Sequence, residues 1–295
     1  TAKDNKYALV SGTSAATPHV AATAALILSL ESFTNEEVKQ IIKSTTDDIM
    51  EPGWDIESGA GRLNTHRALT TLAPSIIKFN HPYQDFATIY SELKINATVL
   101  SALFSSYDLY YGYGFNPTNW TSLINQGSNQ FSDQDIYSLT LSNLPDSVYC
   151  LRLVVQLTNG RTLEERVNFY IQRTPPEVII VGDGPIYYGD RSTIQAEIYT
   201  SQRSVVRMFY RKYGMGDFNF ITLDGINTNN QFVKQLHYGF IPKELAEPNT
   251  VYEVYYEAEN LSGLKNTVLD TLNNLSYFVW VTSPLPEIVM PTEMS

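Results

Sequence analysis

Ser11-Gly12-Thr13-Ser14-Ala15-Ala16-Thr17-Pro18-His19-Val20 joins a small, flexible turn to an Ala-rich apolar run that continues to Leu30. Hydroxyl residues and Gly favour the turn, and the apolar run behind them predicts a helix. A serine at this junction sits where unpaired backbone N–H groups and the positive end of the helix dipole face whatever its hydroxyl attacks. That environment suits a nucleophile whose transition state carries an oxyanion. The same residue types also cap helices, but a cap alone does not require Thr17-Pro18-His19-Val20 behind it. Pro18 is expected near the first turn, where few intrahelical donors are lost. His19 does not pair with Ser14, because five residues of helix turn the side chain by about 500° onto another face.

The run resembles the active-site serine motif of the subtilisin-like serine proteases (subtilases, peptidase S8), Gly-Thr-Ser-Met-Ala-x-Pro-His-Val-x-Gly. The resemblance implies that Ser14 is the nucleophile and that its own backbone N–H is an oxyanion-hole donor. Gly12, Thr13, Pro18 and His19 are then motif residues with structural roles, His19 as a packed histidine. Ala15 and Ala22 stand where the family usually has Met and Gly; neither change removes a chemical group. The family's Asp, in Asp-Ser/Thr-Gly, its His, in His-Gly-Thr, and its oxyanion Asn all precede the serine. Here none of His19, His66, His81 and His237 is followed by Gly, and neither Asp motif occurs. The expectation is a C-terminal part of a catalytic domain, inactive alone, within a serine endopeptidase that is active as a whole.

The resemblance extends to about residue 72. Tyr7 to Val10 reads as a short strand leading into the serine turn, and a helix follows from about Ser14 to Leu30. Thr34-Asn35-Glu36-Glu37 is a capping box that opens a helix over residues 35–45. Gly59-Ala60-Gly61-Arg62-Leu63-Asn64 resembles the family's closing strand, with Asn64 as cap of a last helix, Thr65 to Leu72.

Composition changes near residue 73. Of twenty tyrosines only Tyr7 precedes it. Beyond Ala73-Pro74 come short runs rich in Ile, Val, Tyr and Phe, broken by Gly, Pro, Asn and Asp. Among them are Ser106 to Tyr113, Ile136 to Leu141, Val148 to Gln156, Val167 to Ile171 and Val178 to Val181. This spacing predicts antiparallel β-sandwiches. The chain is thus expected to be multi-domain: a partial α/β subtilase segment, residues 1–72, followed by two all-β Ig-like or fibronectin-III-like sandwiches, 73–173 and 174–283. Residues 284–295 read as a linker or the start of a further segment. Two loose repeats accompany this division. Tyr107 to Tyr111 resembles Val206 to Tyr210, and the turn Leu157 to Arg161 resembles Asn260 to Leu264. The aromatics of Tyr110 to Trp120 are expected to fill a sandwich core rather than to line a sugar or peptide site.

The net charge of −11 and the lack of a basic stripe argue against a nucleic-acid partner. No apolar run is expected to reach the length of a membrane span. The single cysteine, Cys150, lies in a strand pattern and reads as a buried hydrophobe. No cofactor is identifiable; calcium is implied by the family resemblance alone. The expected partners are a protein or peptide substrate and, for the β modules, a surface, glycan or protein ligand. The location implied is secreted or at the surface of a bacterial cell. The alternative is a non-catalytic binding or adhesion segment carrying a remnant protease motif.

Overall fold

The computed structural model describes residues 11–51, 53–188, 191–227, 235–242, 244–270 and 277–283. It is mostly β-sheet, with three helices among the described residues: α1 (Thr13–Leu30), α2 (Asn35–Ser44) and α3 (Thr65–Thr70). The expected strand at Tyr7 to Val10 and the segment 284–295 lie outside the described residues. The chain divides into two compact units. The first is Thr1–Gln84, Ser91–Ser142 and Tyr149–Phe169; the second is Asp85–Tyr90, Asn143–Val148 and Tyr170–Ser295.

Local sequence sets the helix ends. Glu37 N–H donates to Thr34 Oγ1 at 3.3 Å and Thr34 N–H donates to Glu37 Oε2 at 2.8 Å, the reciprocal pair that the capping box predicts. Asn64 Oδ1 accepts from Arg67 N–H at 2.9 Å and opens α3. The three helices share a small core of Ile27, Val38, Ile41 and Ala68, with Phe33, Ile42, Leu69 and Leu72 packed against it. The expected strand over Gly59 to Asn64 is not formed. Single bridges, Asp47 to Arg62 and Asp55 to Gly59, stand in its place. Gly61 is held there at φ +111, where a Cβ would overlap the Asp47 carbonyl, so only glycine fits.

The next strands are β1 (Ser75–His81), β2 (Phe86–Thr88), β3 (Glu92–Ser101), β4 (Phe104–Tyr113), β5 (Thr121–Gly127), β6 (Phe131–Thr140), β7 (Ser147–Leu157) and β8 (Thr162–Ile171). In the first unit they form antiparallel sheets of order β1-β3-β6 and β8-β7-β4-β5. Leu93, Ile95, Ala97 and Val99 alternate inward along β3, and Leu151, Leu153 and Val155 do so along β7. Between the sheets Tyr107 meets Phe131 edge to face at 5.1 Å. Cys150 is buried, and burial pushes its thiol up to about 12, so it is inert as a nucleophile.

The second unit adds β9 (Val178–Tyr188), β10 (Arg191–Thr200), β11 (Ser204–Lys212), β12 (Asn219–Thr222), β13 (Asp224–Asn227), β14 (Gln235–Phe240), β15 (Val251–Asn260), β16 (Lys265–Val268) and β17 (Phe278–Val281). Its sheets are β13-β14-β10-β9 and β12-β11-β15-β16, with β17 also on β15. β15 alternates without a break: Tyr252, Val254, Tyr256 and Ala258 are buried, while Glu253, Tyr255, Glu257 and Glu259 face outward. Ile194, Ile198, Val206 and Met208 complete that core.

Seven strands of each unit stand in the same order. β1-β3-β6 corresponds to β9-β10-β14, and β8-β7-β4-β5 to β16-β15-β11-β12. The hairpin turns match as well. Leu157 N–H donates to Arg161 O and Gly160 N–H to Leu157 O; Asn260 N–H donates to Leu264 O and Gly263 N–H to Asn260 O. The two glycines have φ of 80 and 79°. Near the start of β15, Tyr252 OH donates to the Leu245 carbonyl at 3.2 Å and accepts from Glu247 N–H at 2.9 Å. Such a tyrosine corner fixes the loop into the strand in Ig-type sandwiches.

His237, on β14, is 1% exposed. Thr200 Oγ1 spends its proton on Gln202 O at 2.8 Å, so His237 donates its Nε2–H to Thr200 Oγ1 at 3.2 Å. Nδ1 is then a bare acceptor with no hydrogen-bond partner among the described residues. Burial pushes this imidazole down to about 4 from its ordinary 6.5. Because the folded value is depressed, the stability is fully present above pH 6.5 and is lost as pH falls through 4. The loss is roughly 3 kcal/mol. Urea midpoints measured from pH 7 to 4 are expected to fall steeply for the natural chain and less for His237→Gln. Parallel curves would show that another group carries the acid sensitivity.

Candidate active site

α1 starts one residue before Ser14. Gly12 is its N-cap at φ 124, and no side chain caps this end. The Gly12 carbonyl accepts from Ala15 N–H at 3.0 Å and Ala16 N–H at 3.2 Å. The N–H groups of Thr13 and Ser14 precede these and have no acceptor within the helix. Ser14 is exposed, so its hydroxyl and its own N–H open together at the positive end of an 18-residue helix.

Pro18 lies deeper than the first turn: it is the sixth residue of α1. Its missing N–H deprives the carbonyl four residues back, that of Ser14, of a helical partner. The turn is held instead by side chains, since Thr17 Oγ1 donates to Thr13 O at 2.9 Å. His19 is exposed rather than packed. Its Nδ1–H donates to the Ala15 carbonyl at 2.9 Å, which fixes the ring on its own helix. Among the described residues no histidine or carboxylate is hydrogen-bonded to Ser14. His66 lies in α3, His81 ends β1, and His237 is buried in the second unit.

Beyond the motif, one stripe of α1 packs and the rest does not. Thr23 Oγ1 lies 2.7 Å from Thr65 Oγ1, and Ile27 is fully buried. Val20, Leu26, Leu28 and Leu30 are 43–56% exposed. The expectation about apolar runs is corrected here: α1 is long and apolar enough to cross a membrane, by length and composition. Core helices of water-soluble domains have the same character.

The aromatic stretch also departs from expectation. Tyr110 and Trp120 are half-buried and Tyr113 is 64% exposed. Leu109 takes the core position on β4, while Tyr110 lies over Arg152, its register partner on β7. Arg166 lies 3.6 Å from the Trp54 ring centroid and 5.1 Å from that of Trp120. No sequence pattern links these residues, because the pairing is made across the sheet face and not along the chain. Among the described residues no group of three His, Cys, Asp or Glu is placed to hold a metal ion.

Comparison with known proteins divides along the same line. The model of the subtilase family (Peptidase S8) matches residues 1–61. A thermophilic serine proteinase of Bacillus sp. (strain AK1) is 44% identical over 66 residues, a match that spans 22% of this chain and 16% of that protein. Solved structures resemble the chain weakly. A tetra-tandem repeat from the extending region of a large adhesion protein has a TM-score of 0.26 at 14% identity, covering 72% of this chain and 50% of its own. The chicken interferon gamma receptor alpha chain has a TM-score of 0.21 at 8% identity, covering 66% and 94%. Scores this low assign no fold. The serine motif, the uncapped helix behind it and the sequence match agree, and over residues 1–61 the chain is similar to the subtilase family.

Proposed function

We propose that this chain is the nucleophile-bearing C-terminal part of a subtilisin-like serine endopeptidase catalytic domain, residues 1–72, followed by two Ig-like or fibronectin-III-like modules, 73–173 and 174–283. The observation that carries the reading is Ser14 at the uncapped start of α1, inside the matched segment. In the assembled enzyme Ser14 Oγ attacks the scissile carbonyl while an upstream histidine, oriented by an upstream aspartate, takes its proton. The oxyanion accepts from the Ser14 N–H and an upstream asparagine. Water then cleaves the acyl-enzyme. The exposed apolar side of α1 supports a buried place for this helix in the complete domain. The repeated strand order and the Tyr252 corner support the module assignment. The modules anchor or position a secreted or surface-bound bacterial protease.

A fluorophosphonate probe tests the division of labour. The chain alone is expected to show no labelling above that of an ordinary alcohol, since no base is hydrogen-bonded to Ser14 among the described residues. A longer form with Asp-Ser/Thr-Gly and His-Gly-Thr upstream is expected to label stoichiometrically at Ser14. Rapid labelling of the chain alone would place a base within it. A longer form that lacks those motifs and stays unlabelled would favour a binding segment with a remnant motif.

A further inference from the structure

We propose that the first unit holds a binding site for a neutral oligosaccharide, in the open cavity between residues 43–67 and the outer face of β4, β7 and β8. The cavity measures about 700 Å³, within the range of sites for small organic ligands. It is separate from Ser14, which does not line it.

Charge decides the ligand class. Four cationic and four anionic side chains line the cavity, for a formal charge of zero. They are largely committed to one another or to nearby chain: Arg152 to Glu164 at 2.7 Å, Arg67 to Asp47 at 2.8 Å, and Arg161 to the Ser44 carbonyl. A charged ligand would have to take one member of such a pair and leave the other uncompensated. An apolar ligand would desolvate all of them without replacing any hydrogen bond. A neutral molecule rich in hydroxyls avoids both costs, because each hydroxyl donates to a carboxylate and accepts from a guanidinium or amide. Asp108 uses Oδ1 for Gln126 N–H at 2.8 Å and keeps further acceptor capacity in its carboxylate. Gln156, on the same wall, brings an amide donor and a carbonyl acceptor.

The second requirement is a flat aromatic surface for the C–H face of a sugar ring. Trp54 and Tyr110 both line the cavity. Arg166 stacked on Trp54 at 3.6 Å and Arg152 5.8 Å from Tyr110 hold these rings in place before any ligand arrives. A polypeptide ligand is disfavoured because extended peptides add to unpaired strand edges, whereas this cavity lies on the face of paired strands. One wall comes from the subtilase-like segment and the other from the first sandwich, so a bound glycan would tie the two together.

Titration of the chain with maltotriose, cellotriose and chitotriose, followed by tryptophan fluorescence and saturation-transfer NMR, tests the site. At least one trisaccharide is expected to bind at millimolar concentration or below. Trp54→Ala is expected to weaken it about tenfold or more. Gln156→Ala, which leaves both rings in place, is expected to weaken it several-fold with unchanged thermal unfolding. Trigalacturonate is expected to bind at least about tenfold more weakly. The proposal is overturned if none of the three neutral sugars binds. It is overturned equally if both variants bind like the natural chain, if trigalacturonate binds as well, or if an unstructured decapeptide displaces the sugar.

Discussion

Ser14→Ala is expected to lower kcat for a peptide substrate by about 10⁶-fold in the protease proposed above, since a serine nucleophile acts as one unit with its base. The side chain is exposed and its hydroxyl has no hydrogen-bond partner among the described residues. The change therefore removes one oxygen without opening a cavity, and Ala is the better helix former. Thermal unfolding should stay the same or rise slightly. The residual rate should still exceed that of water, because the backbone donors at the start of α1 survive the substitution. KM should change little, for Ser14 contributes to the transition state rather than to uniform binding. Hydrolysis by the mutant at the natural rate would remove Ser14 from the mechanism. A large loss of stability would show that the hydroxyl is part of the scaffold.

How much was legible in the sequence follows from the range of each interaction. The starts of α2 and α3 were readable because Thr34 meets Glu37 and Asn64 meets Arg67, contacts three residues apart. The runs within β4, β6, β7, β8 and β9 were readable from composition, and the matching turns at Leu157 and Asn260 carry the repeat. Ser14 stands out as the proposed nucleophile because a helix start and a motif coincide. Exposure was not. The sequence of α1 reads as a core helix, yet one stripe alone is covered here. The family resemblance implies a packed His19, yet its ring is exposed on α1. The chemistry of Tyr110 and Trp120 points to the core, but the alternation of β4 gives the core position to Leu109. The wall of Trp54, Arg152, Glu164 and Arg166 depends on strands β7 and β8 meeting a loop far away in sequence, and no local pattern announces it.

That wall gives the largest stability effect expected from a single polar substitution. The Glu164 side chain is 8% exposed and serves two guanidinium groups. Oε2 accepts from Arg152 at 2.7 and 2.9 Å, and Oε1 accepts from Arg166. Both cations also lie near indole rings, Arg152 5.3 Å from Trp120 and Arg166 3.6 Å from Trp54. Glu164→Ala would leave two half-buried positive charges facing each other without a counter-ion. Breaking such a pair from one side costs about 3–5 kcal/mol. Lys265, 50% exposed, gives the contrasting case: it meets Glu257 at 2.9 Å and Glu259 at 3.7 Å, and Arg207 serves both carboxylates as well. Lys265→Ala should leave stability nearly unchanged, because water solvates whichever partner remains. With a urea slope of about 1–3 kcal/mol per molar, Glu164→Ala should lower the midpoint of the first unit by roughly 1–5 M. Trp54 and Trp120 lie in that unit and report its unfolding directly. Glu164→Gln keeps one acceptor oxygen and should recover part of the loss. A shift as small as that of Lys265→Ala would mean that water reaches both guanidinium groups, and the wall would then have no claim to rigidity.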